Sequence, residues 1–193
     1  MSAAVDNRVG VTGSTDRLFF ALYPDRDTAE QQIAPLALRL RSAQRLHGKI
    51  LATERFHLTL HHLGDFAGLP QPLVQAACMA AASLRYRPFE LVFDHAASFD
   101  NKRGRNNAFV LQGGEGVAAV VDFQSALGEA MKKVGLKPDA RFTPHVTLLY
   151  DDRVVPVQPV TPPVRWTAHE FVLVHSLIGR GVHVPLGRWP LKP

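Results

Sequence analysis

The sequence contains a single cysteine, Cys78, among its 193 residues. A disulfide framework within the chain is therefore excluded, and so is a zinc site built from several cysteines. Cys78 lies in the apolar segment 73–82, where a small buried hydrophobe is the ordinary role of a cysteine. We therefore expect a hydrophobic core to hold the fold together without covalent cross-links.

The sequence also lacks a run of about eighteen apolar residues, the length that a membrane-spanning helix requires. It has no charged start followed by an apolar stretch, so no signal peptide is predicted, and we expect a cytoplasmic protein. Segment 1–16 is small and polar and is predicted to be a flexible N-terminal leader, which leaves 17–193 as one domain. The net charge of +5 favours phosphate-bearing partners only weakly.

Alternating and helical patterns of apolar residues predict seven strands and three helices. The strands are expected at 17–23, 56–63, 89–98, 108–111, 142–150, 171–178 and 182–186, and the helices around 33–40, at 70–84 and at 117–134. Segment 156–163 holds four prolines and is predicted to be an extended crossing segment. The repeated strand–helix–strand order suggests a loose duplication.

One four-residue motif, His-x-Thr-Leu, occurs twice, beginning at His57 and at His145. Residues i and i+2 of a strand point to one face, so His57 projects with Thr59, and His145 with Thr147. The same alternation predicts His61 on the face of His57. A single such motif is common in ordinary strands, but two copies with the same apolar neighbours indicate a shared pocket.

Two imidazoles and two hydroxyls around one pocket suit the cleavage of a phosphodiester. A neutral histidine takes a proton from the attacking water, and a protonated histidine gives one to the departing ribose oxygen. The threonine hydroxyls donate to the phosphoryl oxygens. This scheme needs no metal and no other cofactor. A metal held by His57, His61 and His145 is not expected, because strand residues i and i+4 lie roughly 13 Å apart.

The paired motifs, the opening RLFFAL of 17–22 and the contexts FHLTL and FTPHVTLL resemble the two-histidine phosphoesterase superfamily. They are most similar to the bacterial and archaeal RNA 2′,3′-cyclic phosphodiesterases, historically called 2′-5′ RNA ligases (LigT or ThpR). The resemblance covers 17–189. It implies a bilobal α+β fold in which two antiparallel sheets form a V-shaped cleft, with helices outside and a pseudo-twofold duplication.

The resemblance also implies a metal-free reaction that opens a 2′,3′-cyclic phosphate to a 2′-phosphate. His57 and His145 are then catalytic, and Thr59 and Thr147 bind the phosphate. We assign His57 as the acid for the leaving 3′ oxygen and His145 as the base, although the reverse division fits the sequence too. The expected partner is RNA with a 2′,3′-cyclic phosphate end, or a cyclic nucleotide, bound by a monomer away from membranes.

Several further residues are candidates for substrate contacts. The superfamily often carries an arginine shortly after its second motif, where this chain has Tyr150. A replacement cation is sought at Arg141 or in the basic loop 101–107. Aromatic side chains can stack on a base, although adjacent strand residues face opposite ways, so at least one of the first two phenylalanines belongs to the core. The candidates are Phe19, Phe20, His61, Arg141, Phe142, Tyr150, Lys102, Arg103 and Arg105.

Two other functions remain open at this point. One is a relative that acts on another 2′-linked substrate, by 2′-5′ ligation or cleavage. The other is a nucleotide-binding or RNA-binding module that has kept the fold without turnover. Two intact histidine motifs argue against the binding module, because binding alone does not need a matched acid and base.

Overall fold

The computed structural model describes residues 13–101 and 104–192. Its eight strands form two four-stranded sheets in which all neighbouring strands are antiparallel. In chain order the strands are β1 (Asp16–Leu22), β2 (Leu58–Phe66), β3 (Phe89–Phe99), β4 (Asn107–Gln112), β5 (His145–Asp151), β6 (Gln158–Ala168), β7 (Glu170–Leu177) and β8 (Val182–Pro190). Sheet I has the order β2-β1-β7-β8, and sheet II the order β5-β4-β3-β6.

Three α-helices complete the fold: α1 (Ala34–Ala43), α2 (Gln71–Ser83) and α3 (Ala118–Lys133). Pro35 is the second residue of α1. A π-helical turn, Thr28–Ile33, precedes α1 and packs against β6, while α3 contacts both β2 and β3. The helices therefore join the two sheets to one another.

The arrangement β1-α1-β2 recurs as β4-α3-β5. In each unit two antiparallel strands of one sheet are joined through a helix. Each unit also ends in an edge strand, β2 in sheet I and β5 in sheet II. This agrees with the loose duplication predicted from the sequence.

The main core is built from aromatic side chains of both sheets and of α3. Phe20, Phe93, Phe109 and Phe123 are all 0% exposed and belong to one continuous cluster. Burying side chains of this size contributes roughly 1.5–3 kcal/mol each before the entropy cost of ordering them. Because this cluster connects both sheets, the two lobes share a single core.

Sheet I has a second face that turns away from this core. Phe19, Ala21, Val172 and Val174 form a small separate cluster there. We call this side of sheet I the cleft face. Phe19 and Phe20 thus point in opposite directions, as strand alternation requires.

The structure differs from the predicted elements in two places. Strand β1 begins at Asp16, one residue inside the predicted leader, while residues 1–12 lie outside the described part of the chain. The proline-rich segment was predicted to cross between elements, but most of it belongs to strand β6. Strand β6 lies at the edge of sheet II, and within the described residues it pairs only with β3. Its prolines therefore do not break hydrogen bonds between two central strands.

The other predicted strands and helices are confirmed, with ends shifted by a few residues. The α+β fold of two antiparallel sheets is confirmed as well. None of the described helices is both long and apolar enough to span a bilayer.

Candidate active site

The two motif strands meet where the sheets come together. Strands β2 and β5 are in contact. The segment before β2 lies along β5, where Ile50 forms a β-bridge with Leu149 and the Leu51 N–H donates to the Leu148 carbonyl over 2.8 Å. The fold therefore brings together two motifs that are 88 residues apart in sequence.

Both histidines are oriented by the same hydrogen bond. Nδ1 of His57 lies 2.7 Å from the carbonyl oxygen of Arg55, and Nδ1 of His145 lies 2.7 Å from that of Thr143. A carbonyl only accepts, so each Nδ1 carries the proton and each neutral ring keeps its lone pair on Nε2. Among the described residues neither Nε2 has a hydrogen-bond partner, which leaves both atoms available to a substrate.

Each threonine lies two residues beyond its histidine; His145 is the first residue of β5, and His57 directly precedes β2. Thr59 pairs with Ala21 of the cleft face, and Thr147 pairs with Val110. Both side chains are half-buried. Within the described chain neither hydroxyl makes a hydrogen bond, so both can donate to a phosphoryl oxygen.

Both motifs end in a β-bulge at their leucine. In β2, Ala21 pairs with Thr59 and Phe20 with His61, so Leu60 is the extra residue. In β5, Val110 pairs with Thr147 and Phe109 with Leu149. A bulge shifts the alternation by one residue. The residue after each motif therefore points into the core instead of the cleft.

This bulge corrects the prediction for His61. The side chain was expected to share the face of His57, but it is 1% exposed and lies in the core. Its Nε2–H donates to the carbonyl of Gln124 over 2.9 Å, and its Nδ1 accepts the Asp139 N–H over 3.1 Å. Burial lowers the pKa of His61. His61 is therefore a neutral structural residue without access to a substrate.

The surroundings of His57 are aromatic and confined. Its ring centroid lies 5.2 Å from that of Phe19, 5.8 Å from that of Tyr23 and 5.0 Å from that of His183. The Tyr23 hydroxyl and Nδ1 of His183 are 3.0 Å apart. Burial lowers the pKa of His57 to about 4, and the electrostatic influence of the neighbouring His183, His145 and Arg55 acts in the same direction.

His183 and Tyr23 complete this enclosure. Burial lowers the pKa of His183 to about 4, and the charge of Arg55 acts in the same direction. Burial also raises the pKa of Tyr23, so its phenol stays protonated and can donate. The histidine of the second motif has fewer neighbours of this kind. The His145 ring meets Phe99 edge-on at 4.8 Å, and burial lowers its pKa.

Arg55 is a site residue that the sequence reasoning missed. Its carbonyl holds His57, and its side chain lines a cavity of about 860 Å³ on the cleft face. Its Nε is buried and, among the described residues, has no hydrogen-bond partner. Its position two residues before His57 gave no signal, because Thr53–Arg55 forms a short 3₁₀ helix in which strand alternation does not apply.

This cavity has the size of a nucleotide site. Its floor is apolar, from Val172, Val174 and Pro185, while Tyr23, Arg55 and His183 bring polar groups to its edge. Local sequence could not identify His183, because its position near His57 depends on the order of the strands in sheet I. The cavity therefore adjoins the first motif and offers space for a base and a ribose.

The predicted aromatic contacts take other roles. Phe20 is fully buried and packs against Phe171 and Trp189, which corrects its candidacy as a substrate contact. Phe19 is on the cleft face but only 3% exposed, so it supports His57 and offers no open ring for stacking. Phe142 is half-buried against the main core.

Of the four predicted cations, the structure describes Arg105 and Arg141, and both are exposed. The loop that carries Arg105 joins β3 to β4 and ends at Asn107, which pairs with Asp151, whereas His145 pairs with Gln112 at the other end of β4. Phe99, at the start of this loop, contacts the His145 ring. Residues 102 and 103, the predicted Lys102 and Arg103, lie outside the described residues. Tyr150 is 43% exposed at the far end of β5 from His145.

The comparisons with known proteins agree with this geometry. Residues 24–179 match the model of a family described as the 2′-5′ RNA ligase superfamily. A crystal structure of Escherichia coli LigT complexed with 3′-AMP has a TM-score of 0.69 and 26% identity, over 93% of this chain and 99% of that one. TT0787 of Thermus thermophilus has a TM-score of 0.68 and 21% identity, over 91% and 97%. No curated protein matches the sequence.

Proposed function

Because the chain belongs to the 2′-5′ RNA ligase superfamily, we propose that it hydrolyses RNA ends that carry a 2′,3′-cyclic phosphate and leaves a 2′-phosphate. The observation that carries this proposal is the pair of identically oriented imidazoles. Both Nδ1 atoms are fixed on carbonyls 2.7 Å away, and both Nε2 atoms are left for the substrate. A reaction that removes one proton and donates another needs a matched pair of this kind.

The proposed step balances without further reactants. One neutral Nε2 takes a proton from water while the water oxygen forms a bond to phosphorus. The bond from phosphorus to the 3′ oxygen breaks, and the other imidazolium gives its proton to that oxygen. Thr59 and Thr147 donate to the phosphoryl oxygens as their charge grows. The products are a 2′-phosphate and a free 3′ hydroxyl, and solvent returns each histidine to its starting state.

Protonation of the acid is coupled to substrate binding. Burial lowers the pKa of His57 to about 4 and also lowers that of His145, so both rings are neutral near neutral pH in the free protein. A phosphodiester anion between the rings favours the imidazolium form of whichever ring lies nearer its leaving oxygen. Binding of the substrate anion therefore promotes protonation of the histidine that acts as the acid.

The similar structures support a nucleotide as the ligand. E. coli LigT, 26% identical to this chain, was crystallised with 3′-AMP. The cavity of about 860 Å³ beside His57 is large enough for a nucleoside. The threonine pair provides the phosphate contacts next to it.

The test is incubation with a 2′,3′-cyclic nucleotide in the presence of EDTA, followed by phosphorus NMR against authentic 2′- and 3′-monophosphates. We expect turnover that survives the chelator and a 2′-phosphate product. A predominant 3′-phosphate would overturn the proposed regiochemistry while retaining two-histidine chemistry. Binding without turnover would instead favour a binding module of the same fold.

Ligation would start from the same cyclic phosphate and use the same site. An incoming 5′ hydroxyl in place of water would yield a 2′-5′ linkage, with the same two histidines moving the protons. Adding an oligonucleotide with a free 5′ hydroxyl to the same assay measures this reaction. Hydrolysis is the proposed main reaction, because water is in large excess over any such hydroxyl.

A further inference from the structure

A second, smaller cavity opens on the other side of Arg55. It has a volume of about 370 Å³ and is lined by Arg17, Arg55, Arg180 and the backbone of the turn between β7 and β8. Arg55 and Gly181 line both this cavity and the larger one. Arg55 and Gly181 therefore form a wall that the two cavities share.

Arg17 is fixed in this cavity by an ion pair on sheet I. Its Nε and Nη2 donate to the two oxygens of Asp65 over 2.7 and 2.6 Å. Asp65 is also bonded to Nε2 of His62 at 2.9 Å, and the hydrogen bonds from Arg17 lower the pKa of Asp65 to about 2. The carboxylate stays charged and occupies one edge of the guanidinium, so Nη1 remains for a ligand.

Arg55 supplies an unsatisfied donor in the shared wall. Its Nε is buried and has no acceptor within the described chain. A Cβ built on Gly181 would lie 3.4 Å from Nη1 of Arg55, so the guanidinium packs directly against the turn. The guanidinium carries a fixed positive charge in the wall that the two cavities share, and this charge attracts an anion in the small cavity.

Arg180 adds a third guanidinium at the mouth of the cavity. Its side chain is exposed on the turn, and its N–H is bonded to the carbonyl of Leu177. Three guanidiniums and the single carboxylate of Asp65 leave two positive charges around the space. Guanidinium forks match the oxygens of phosphate, and several of them on one small space favour a phosphate over a neutral group.

We propose that this arginine cavity, formed by Arg17, Arg55 and Arg180, binds the phosphodiester that precedes the terminal nucleotide of an RNA substrate. The inference rests on the proposed function, because the cyclic end must occupy the motif histidines at the same time. It makes the protein an enzyme for the ends of oligonucleotides in preference to free cyclic nucleotides, which lack that second phosphate.

Two dinucleotides that both end in a 2′,3′-cyclic phosphate test this subsite. One carries a normal internal phosphodiester, and the other an uncharged methylphosphonate in its place. We expect kcat/KM to be about tenfold higher for the charged substrate, as one charged hydrogen-bonded contact implies. The ratio should fall as salt is raised, because part of the mouth is exposed.

Variants then test whether the arginine cavity causes the ratio of the two kcat/KM values. Arg180→Gln should lower the ratio, and Arg180→Glu, which also places a negative charge at the mouth, should bring it close to one. The matched control is Arg39→Gln, which removes the same charge from an exposed position on α1 outside both cavities. The control should keep the full ratio.

The outcomes separate the two proposals. Equal hydrolysis of both dinucleotides by the unchanged protein would overturn the arginine subsite and leave the proposed function standing. A ratio that survives Arg180→Glu, or that falls equally in Arg39→Gln, would also overturn it. Hydrolysis of neither dinucleotide, with no turnover of a cyclic nucleotide, would overturn the proposed function and the subsite with it.

Discussion

The two halves of the molecule repeat one geometry in different electrostatic surroundings. His57 and His145 share the same carbonyl bond at Nδ1 and the same bulge after the motif. His57, however, is packed among Phe19, Tyr23 and His183, whereas His145 meets Phe99. Backbone geometry thus fixes where the imidazoles sit, and the neighbouring side chains determine how readily each one holds a proton.

The largest expected effect follows from removing either member of the pair. His57→Ala and His145→Ala should each lower kcat for a 2′,3′-cyclic nucleotide by roughly 10²–10⁴, as expected for loss of general acid–base catalysis. The double variant should lose little more than the worse single one, because the two groups act as a unit. Near-normal turnover in either variant would remove that residue from the pair.

The control for this measurement is His47→Ala. His47 is exposed and outside both motifs, and its backbone N–H, which bonds to Asp151, is retained in the variant. Its turnover should equal that of the unchanged protein. Circular dichroism of all four variants, the double variant included, checks that the fold is intact.

Removing the hydroxyl of either motif should have a smaller effect. Thr59→Ala and Thr147→Ala are expected to raise the barrier by about 1–3 kcal/mol, through the loss of a hydrogen bond to the phosphoryl group. Thr→Ser at the same positions should restore most of the rate. Neither change should alter the product, because both hydroxyls contact the phosphate and not the sugar. A switch to 3′-phosphate would show that a threonine also positions the ribose.

Substitution of His61, the residue after the first motif, is expected to change stability and not activity. His61→Leu copies Leu149 of the second half, but it leaves the Gln124 carbonyl and the Asp139 N–H without their buried partner. The free energy of unfolding in urea should fall by about 1–3 kcal/mol, with turnover little changed. His47→Leu is the exposed control. A large loss of turnover without loss of stability would return His61 to the active site.

The pH dependence of the rate tests whether the motif histidines hold a proton more weakly in the free protein than in the substrate complex. The profile of kcat/KM reports the free protein, in which both motif histidines have a pKa below the ordinary value of 6.5. The acid loses its proton as pH rises through its lowered pKa, so the upper limb of kcat/KM should lie below 6.5. The base is protonated as pH falls, which gives the lower limb.

The profile of kcat should have its upper limb at higher pH than that of kcat/KM. The bound phosphate anion holds the proton on the acid, so its pKa rises in the complex. Both limbs belong to the coupled pair and not to a single residue. An upper limb of kcat/KM at or above pH about 7 would contradict the lowered pKa values.

The sequence was sufficient to predict the motif residues and most of the strands. The i, i+2 spacing of His57 with Thr59 gives a common face before any tertiary contact is known. It was not sufficient for His61, because the alternation continues in the sequence and the bulge at Leu60 arises only from pairing with β1. Strand β6 was missed for a related reason, since prolines exclude a central strand but not an edge strand.

The residues that surround His57 were also beyond local patterns. His183 lies in the last strand, and its approach to His57 depends on the order of the strands in sheet I. Arg55 lies in a short 3₁₀ helix, so strand alternation did not place it beside His57. The cations predicted to replace the arginine expected at Tyr150 that the structure describes, Arg105 and Arg141, are both exposed.

The most direct test of the central claim uses a cyclic phosphate with sulfur in place of the bridging 3′ oxygen. A thiolate leaves without being protonated, so the variant that lacks the acid should regain most of its turnover, while the variant that lacks the base should not. We expect one of His57→Ala and His145→Ala to recover on this substrate and the other not to. Equal recovery of both variants, or of neither, would contradict a division of labour between the two histidines.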